Sequence, residues 1–249
     1  MGQGWRWEVF LERTPYGDAT YLAWLAEGLG VTVALSLVSW ILALALGTAL
    51  GVARTVPSRA ARAAAGVYVE LFRNVPLLVQ LFLWYFVAPE LAPAALGAWF
   101  KGQHPFSQQL AAAAACLATF TAARVCEQVR AGIEALAHGQ RAAALALGLT
   151  LPQAYRHVLL PMAFRIVVPP LTSEMLNLLK NSAVASTIGL LELAARGRQL
   201  VDYTARPYES FVAVTLAYVA VNLLVLLAMR RVEARARVPG FIGGGAPAP

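Results

Sequence analysis

Three polar residues recur at three-residue spacing inside an otherwise apolar stretch: Glu174, Asn177 and Lys180. On a helix that spacing puts them on one face. Ionised groups in such a place have two uses. They can pair, Glu174 with Lys180 or Glu70 with Lys180, and brace a helix bundle. They can instead line a path and stabilise a polar solute in transit. Glu70 and Arg73 stand three apart at the start of a second apolar stretch, where Arg73 could attract an acidic solute or serve gating and packing. Bond-making chemistry has no such support. The three histidines, His104, His138 and His157, fall in loops. Neither lysine lies in the GxxxxGK[ST] context that cradles nucleotide phosphates, and there is no HExxH or GxSxG motif. Cys116 and Cys126, ten residues apart with no CxxC pair, read as small buried thiols rather than metal ligands or a disulfide.

The elements that hold these groups must be built for lipid. Of the 249 residues 59% are apolar and only 13% charged, against roughly 25% charged in soluble domains. The class is an all-α membrane protein. Five spans follow from the apolar runs: Leu29 to Val52, about Tyr68 to Ala88, about Gln108 to Val125, a fourth after Pro161 and broken at Pro169-Pro170, and Phe211 to Met229. The first, with 24 uncharged residues, is about 36 Å long as a helix. Its Gly47 and Gly51 allow a neighbouring helix to approach closely. The aromatic residues Trp5, Trp7, Phe10, Tyr16, Tyr21 and Trp24 mark residues 1–28 as an interfacial segment. That segment is too acidic, and the run after it too long, for a cleaved signal peptide.

A formal net charge of +7 comes from Arg spread between apolar blocks, with no dense basic run interleaved with aromatics. It therefore reports topology and not nucleic acid. The loop set containing Arg54, Arg124, Arg141 and Arg230 carries eleven Lys and Arg; the opposite set carries seven. This bias puts the 124–161 loop and the C-terminus in the cytoplasm and the N-terminus in the periplasm.

One stretch does not look built for lipid. From Gln140 to Phe164, "QRAAALALGLTLPQAYRHVLLPMAF" carries two Arg, one His, two Gln and two Pro. Ala142, Leu145, Ala146 and Leu149 form an apolar stripe at helical spacing. Gly148 falls where a left-handed C-terminal residue is expected. Thr150-Leu-Pro-Gln153 has the capping-box pattern with Pro152 in the first turn. Leu151, Ala154, Tyr155 and Val158 form a second stripe, and Pro161 marks the next boundary. The pattern is helix, glycine turn, short helix. From the residues alone it is either a hairpin resting on headgroups or a docking element for a partner.

This stretch resembles the cytoplasmic loop of ABC importer permeases, whose pattern is E-A-A, three residues, G, nine residues, I, one residue, L-P. Ala143 and Ala144 match the two alanines, Gly148 the glycine, Val158 the isoleucine, and Leu160-Pro161 the ending. Ala142 stands where the family has glutamate, with Gln140 and Arg141 as polar neighbours. The segments "ELFRNVPLLVQLFLWYFV", "FTAARVCEQVRAGI", "PPLTSEMLNLLKNSAVASTIGL" and "RVEARARVPGF" are similar to the polar amino acid branch, most of all to permease subunits of bacterial glutamate/aspartate importers.

The resemblance implies a type I importer permease fold of about five helices. It divides the chain into residues 1–28, periplasmic or interfacial; 29–231, the permease domain, with its coupling loop at about 134–161; and 232–249, a cytoplasmic tail. It implies a bacterial inner membrane location, a second and non-identical permease, two cytoplasmic ATPase subunits and a periplasmic amino acid binding protein. The chain itself binds no cofactor, ATP and Mg being used by the ATPase. Gln140, Arg141, Ala142, Ala143, Ala144, Gly148, Val158, Leu160 and Pro161 become the ATPase-coupling residues; Arg73, Glu174, Asn177 and Lys180 become candidates for the path or its gate. Two other classes fit less well. An ion-coupled transporter would show broken helices in both halves, and a membrane-embedded enzyme would need a His, Asp or Cys constellation.

Overall fold

The structure, a computed structural model, describes residues 4–136 and 139–236. His138, Arg237 and the predicted tail from residue 237 on lie outside them. The chain is helical: α1 (Tyr21–Ala53), α2 (Arg59–Asn74), α3 (Leu77–Phe82), α4 (Ala88–Leu91), α5 (Ala94–Lys101), α6 (Pro105–Glu134), α7 (Gly139–Ala146), α8 (Leu151–Ala154), α9 (Leu160–Asn181), α10 (Leu193–Thr204) and α11 (Pro207–Ala236). Four segments are long and apolar enough to cross a bilayer, and the bent pair Arg59–Asn74 with Leu77–Leu91 makes a fifth.

α1 starts at Tyr21, inside the segment expected to precede the first span. Its first turn is capped by the Thr20 side chain, which accepts from the Ala23 N–H. Tyr21, Trp24 and Leu25 are held there by packing with Leu193, Leu200 and Val214. Lower down, α1 runs alongside α6 in the same direction, with Ser39 near Ala114 and Gly51 near Val129. A Cβ on Gly47 would lie 2.6 Å from Val125 Cβ, and one on Gly51 2.7 Å from Val129 Cβ. The two glycines are what allow the helices to touch.

The prolines act differently from what the apolar runs suggest. The second span is not one straight helix: α2 and the α3–α4 segment meet at 106°. Pro76 disfavours helical geometry at the residue before it, and Val75 is extended (φ −93°, ψ 131°). The carbonyls freed by the bend are met by buried Gln80, whose Nε2 donates to Phe72 O at 2.9 Å and Val75 O at 2.8 Å. The fourth span, expected to break at Pro169-Pro170, does not break: both prolines lie inside α9. Ala163, Val167, Leu171, Met175 and Leu178 form a buried stripe that runs past the prolines in the core shared with α6. Packing on both sides of the two missing N–H donors keeps one axis.

Pro161 is likewise no boundary. α8 continues through a π turn, Tyr155–Leu159, directly into α9. The same device recurs at Leu83–Val87, and in both places a proline follows two residues later, Pro161 and Pro89. A π turn moves the hydrogen-bond register by one residue, which relieves the clash between a proline ring and the carbonyl four residues back.

Candidate functional site

The 140–161 stretch is a surface feature with two unlike faces. α7 ends in a Schellman turn: the Leu149 N–H donates to Ala144 O at 3.2 Å and the Gly148 N–H to Leu145 O at 3.0 Å. This puts Gly148 at φ +87°. Thr150 then caps α8 through a capping box with Gln153. The second stripe turns inward, with Ala154 and Tyr155 buried and Leu151 and Val158 half-buried. The π turn adds Leu159 to it. The Tyr155 hydroxyl donates to Thr55 Oγ1 at 3.1 Å and ties the loop to the end of α1.

The first stripe turns the other way. Ala142, Ala143, Leu145 and Ala146 are exposed, Leu147 is 83% exposed, and Leu149 is half-buried. Ala144 is the residue of α7 that packs inward. Gln140 and Arg141 are half-buried; Arg141 lines a cleft of about 450 Å³ with Thr55, Ile133, Glu134, Leu136, Tyr155 and Leu159. Leu160 is half-buried and Pro161 exposed within the continuous helix.

The charged candidates do not form the expected pairs. Neither Glu174 nor Glu70 pairs with Lys180. Glu174 faces Arg124, Oε2 to Nη1 3.9 Å, and Glu70 accepts from Asn74 Nδ2 at 3.1 Å. Lys180 is exposed, without a carboxylate partner among the described residues. Asn177 is half-buried and Arg73 exposed, with Arg73 within electrostatic range of Glu174. Arg124, expected in a loop, lies well inside α6. A charge held in hydrocarbon costs at least about 2.5–3.5 kcal/mol. The flank carrying Arg73, Arg124 and Glu174 is therefore a surface for water or protein and not for lipid.

Sequence reading missed two further groups. At the base of α6, Glu127 pairs with Arg54 and Arg130, and Arg130 pairs with Glu134, so the charged end of this helix is neutralised within the chain. At the opposite end of the bundle Glu192 is fully buried. It caps α10 by accepting from the Ala194 and Ala195 N–H groups at 3.0 and 2.8 Å. It also accepts from Tyr218 of α11 at 2.9 Å and from Thr32 of α1 at 3.4 Å. Glutamate is a poor N-cap by propensity, so nothing local marks it.

The chain matches the family described as binding-protein-dependent transport system inner membrane component over residues 41–238. It is 55% identical over 245 residues, 98% of this chain and 100% of the relative, to the glutamate/aspartate import permease protein GltJ of Escherichia coli (strain K12). It is 31% identical over 190 residues, 76% of this chain and 82% of the relative, to the probable glutamine ABC transporter permease protein GlnM of Bacillus subtilis (strain 168). Among solved structures it superposes on the crystal structure of an amino acid ABC transporter with histidines. That match has a TM-score of 0.70 and 28% identity, and covers 86% of this chain and 95% of that one.

Proposed function

Because this chain belongs to the family of inner membrane components of binding-protein-dependent transport systems, we propose that it is the permease subunit of an ATP-driven importer for glutamate and aspartate. It is a transport component and not an enzyme. The observation that carries the substrate class is 55% identity across essentially the full length of both chains to a glutamate/aspartate import permease. The glutamine permease is less similar, at 31% identity.

The geometry supports the division of labour. α7 and the Gly148 turn form the coupling element, and the exposed Leu145–Leu147 edge enters a groove on a cytoplasmic ATPase, where ATP and Mg are used. The inward stripe with Tyr155 joins that element to α1 and, through the π turn, to α9. Movement of the ATPase is thereby passed to the helix that bears Glu174, Asn177 and Lys180. A second permease, a non-identical homologue, covers the charged flank and leaves an aqueous path between the two. A periplasmic binding protein delivers the amino acid at the other end.

The test is assembly of the chain with a sister permease, the ATPase and the binding protein in proteoliposomes. ATP-dependent uptake of glutamate and aspartate is expected, and deletion of this subunit should abolish binding-protein-dependent glutamate import. Glutamate import that survives the deletion, alongside lost import of a basic amino acid, refutes the assignment. The Arg bias supports a periplasmic N-terminus and a cytoplasmic C-terminus. A cysteine at Gly244, which lies outside the described residues, in a background lacking Cys116 and Cys126, should resist an impermeant thiol reagent in intact cells. Labelling without lysis reverses the orientation.

A further inference from the structure

Arg124 lies ten residues before Glu134, the last residue of α6, or about 15 Å along the helix axis. Its guanidinium sits 4.6 Å from the centroid of the Phe120 ring, which supports one of its flat faces. Its contact with Glu174 is a single approach of 3.9 Å, whereas a well-formed charge-assisted bond is about 2.7–2.9 Å. Its donors are thus not engaged by that carboxylate. Arg73 acts on the same carboxylate from α2, and Lys180 stands exposed further along α9. The site is open to solvent, with 39% of the side-chain surface exposed at Arg124 and 14% at Glu174.

Two guanidinium groups, Arg73 and Arg124, and one carboxylate, Glu174, share this flank. An acidic amino acid presents the complement, two carboxylates and one ammonium. From this geometry we infer that Arg124 is the specificity-determining residue of the path, exchanging its loose contact with Glu174 for a carboxylate of the passing substrate. The inference rests on the import reading given above. A guanidinium can hold a carboxylate in a two-point contact that an ammonium cannot reproduce. A neutral amino acid leaves one guanidinium without a partner, and a basic one is repelled.

The test uses the assembled importer in proteoliposomes, with uptake and binding-protein-stimulated ATP hydrolysis measured on the same samples. Arg124→Met should assemble, retain stimulated hydrolysis, and lower glutamate and aspartate uptake roughly ten- to a hundredfold, the range of a lost hydrogen bond to a charged group. Arg124→Lys should recover part of the uptake. The double variant, Arg124→Met with Glu174→Gln, separates a site from a brace. It removes both charges of the Arg124–Glu174 contact, so a brace between those two predicts recovery towards wild type, whereas a substrate-binding role predicts continued loss. Recovery in the double variant, or wild-type uptake by Arg124→Met, overturns the inference and leaves the import reading intact. A wild-type complex that carries basic amino acids and not acidic ones overturns both.

Discussion

Gly148→Asp is expected to insert into the membrane at wild-type level and to lose both ATPase co-purification and transport. Two causes could produce that loss, and they predict opposite orders for Ala and Asp. Gly148 holds φ +87°, where any Cβ costs about 1–2 kcal/mol, but Asp and Asn tolerate this region better than most residues. If backbone strain were the whole effect, Gly148→Ala would be the worse variant. Among the described residues nothing lies within 4 Å of a Cβ at this position, so no clash there distinguishes the two. If the turn is a docking edge, the longer charged side chain meets the ATPase groove and Asp is the worse variant. The proposed function predicts the second order: Gly148→Ala docks with reduced affinity and still transports, and Gly148→Asp does neither. Ala142→Glu places the commoner family residue on an exposed position of α7 and should be tolerated. Docking and transport by Gly148→Asp at wild-type level would remove the coupling role from this loop.

The loop was legible because its signals are local. A glycine at the helix end, a capping box and a proline in the first turn each act within four or five residues, and the Schellman turn and Thr150 cap follow from them. What the residues could not indicate was which stripe faces in. Ala142, Leu145 and Ala146 are as apolar as Leu151 and Tyr155, and only the position of Thr55 and the 133–136 segment decides that the second stripe is covered. The effect of each proline is hidden from the sequence for the same reason. At Pro76 the chain bends because Gln80 can satisfy the carbonyls that the bend frees. At Pro169 it does not bend because buried neighbours hold both sides. Arg124 reads as a loop residue because charge within a run looks like the run's end. Glu127, Arg130 and Glu134 neutralise one another and Arg54 across the fold, so the helix continues and carries Arg124 inside.

Glu192→Leu should be the most destabilising single change at the opposite end of the bundle. Glu192 joins three elements whose polar groups have few alternatives. The first N–H groups of α10 have no intrahelical acceptor, and the Tyr218 and Thr32 hydroxyls both donate to this one carboxylate. Leucine removes the acceptor for all of them while filling the same space. Loss of a cap and of buried acceptors is worth about 2–4 kcal/mol, measured as the unfolding midpoint of the purified complex in detergent. Burial, the larger influence, pushes the Glu192 carboxyl above its ordinary range, and the backbone and hydroxyl donors pull it back in part. A carboxyl raised in the folded state contributes stability at low pH that is lost as pH rises through the raised value. Wild type should therefore lose stability over that interval, and Glu192→Gln, which cannot ionise, should show a flatter profile. Gln keeps one acceptor oxygen for the α10 cap but turns an amide N–H₂ towards donors, so it should lie between wild type and Leu. A Leu variant as stable as wild type would mean that water satisfies these groups and that the three helices are joined by apolar packing alone.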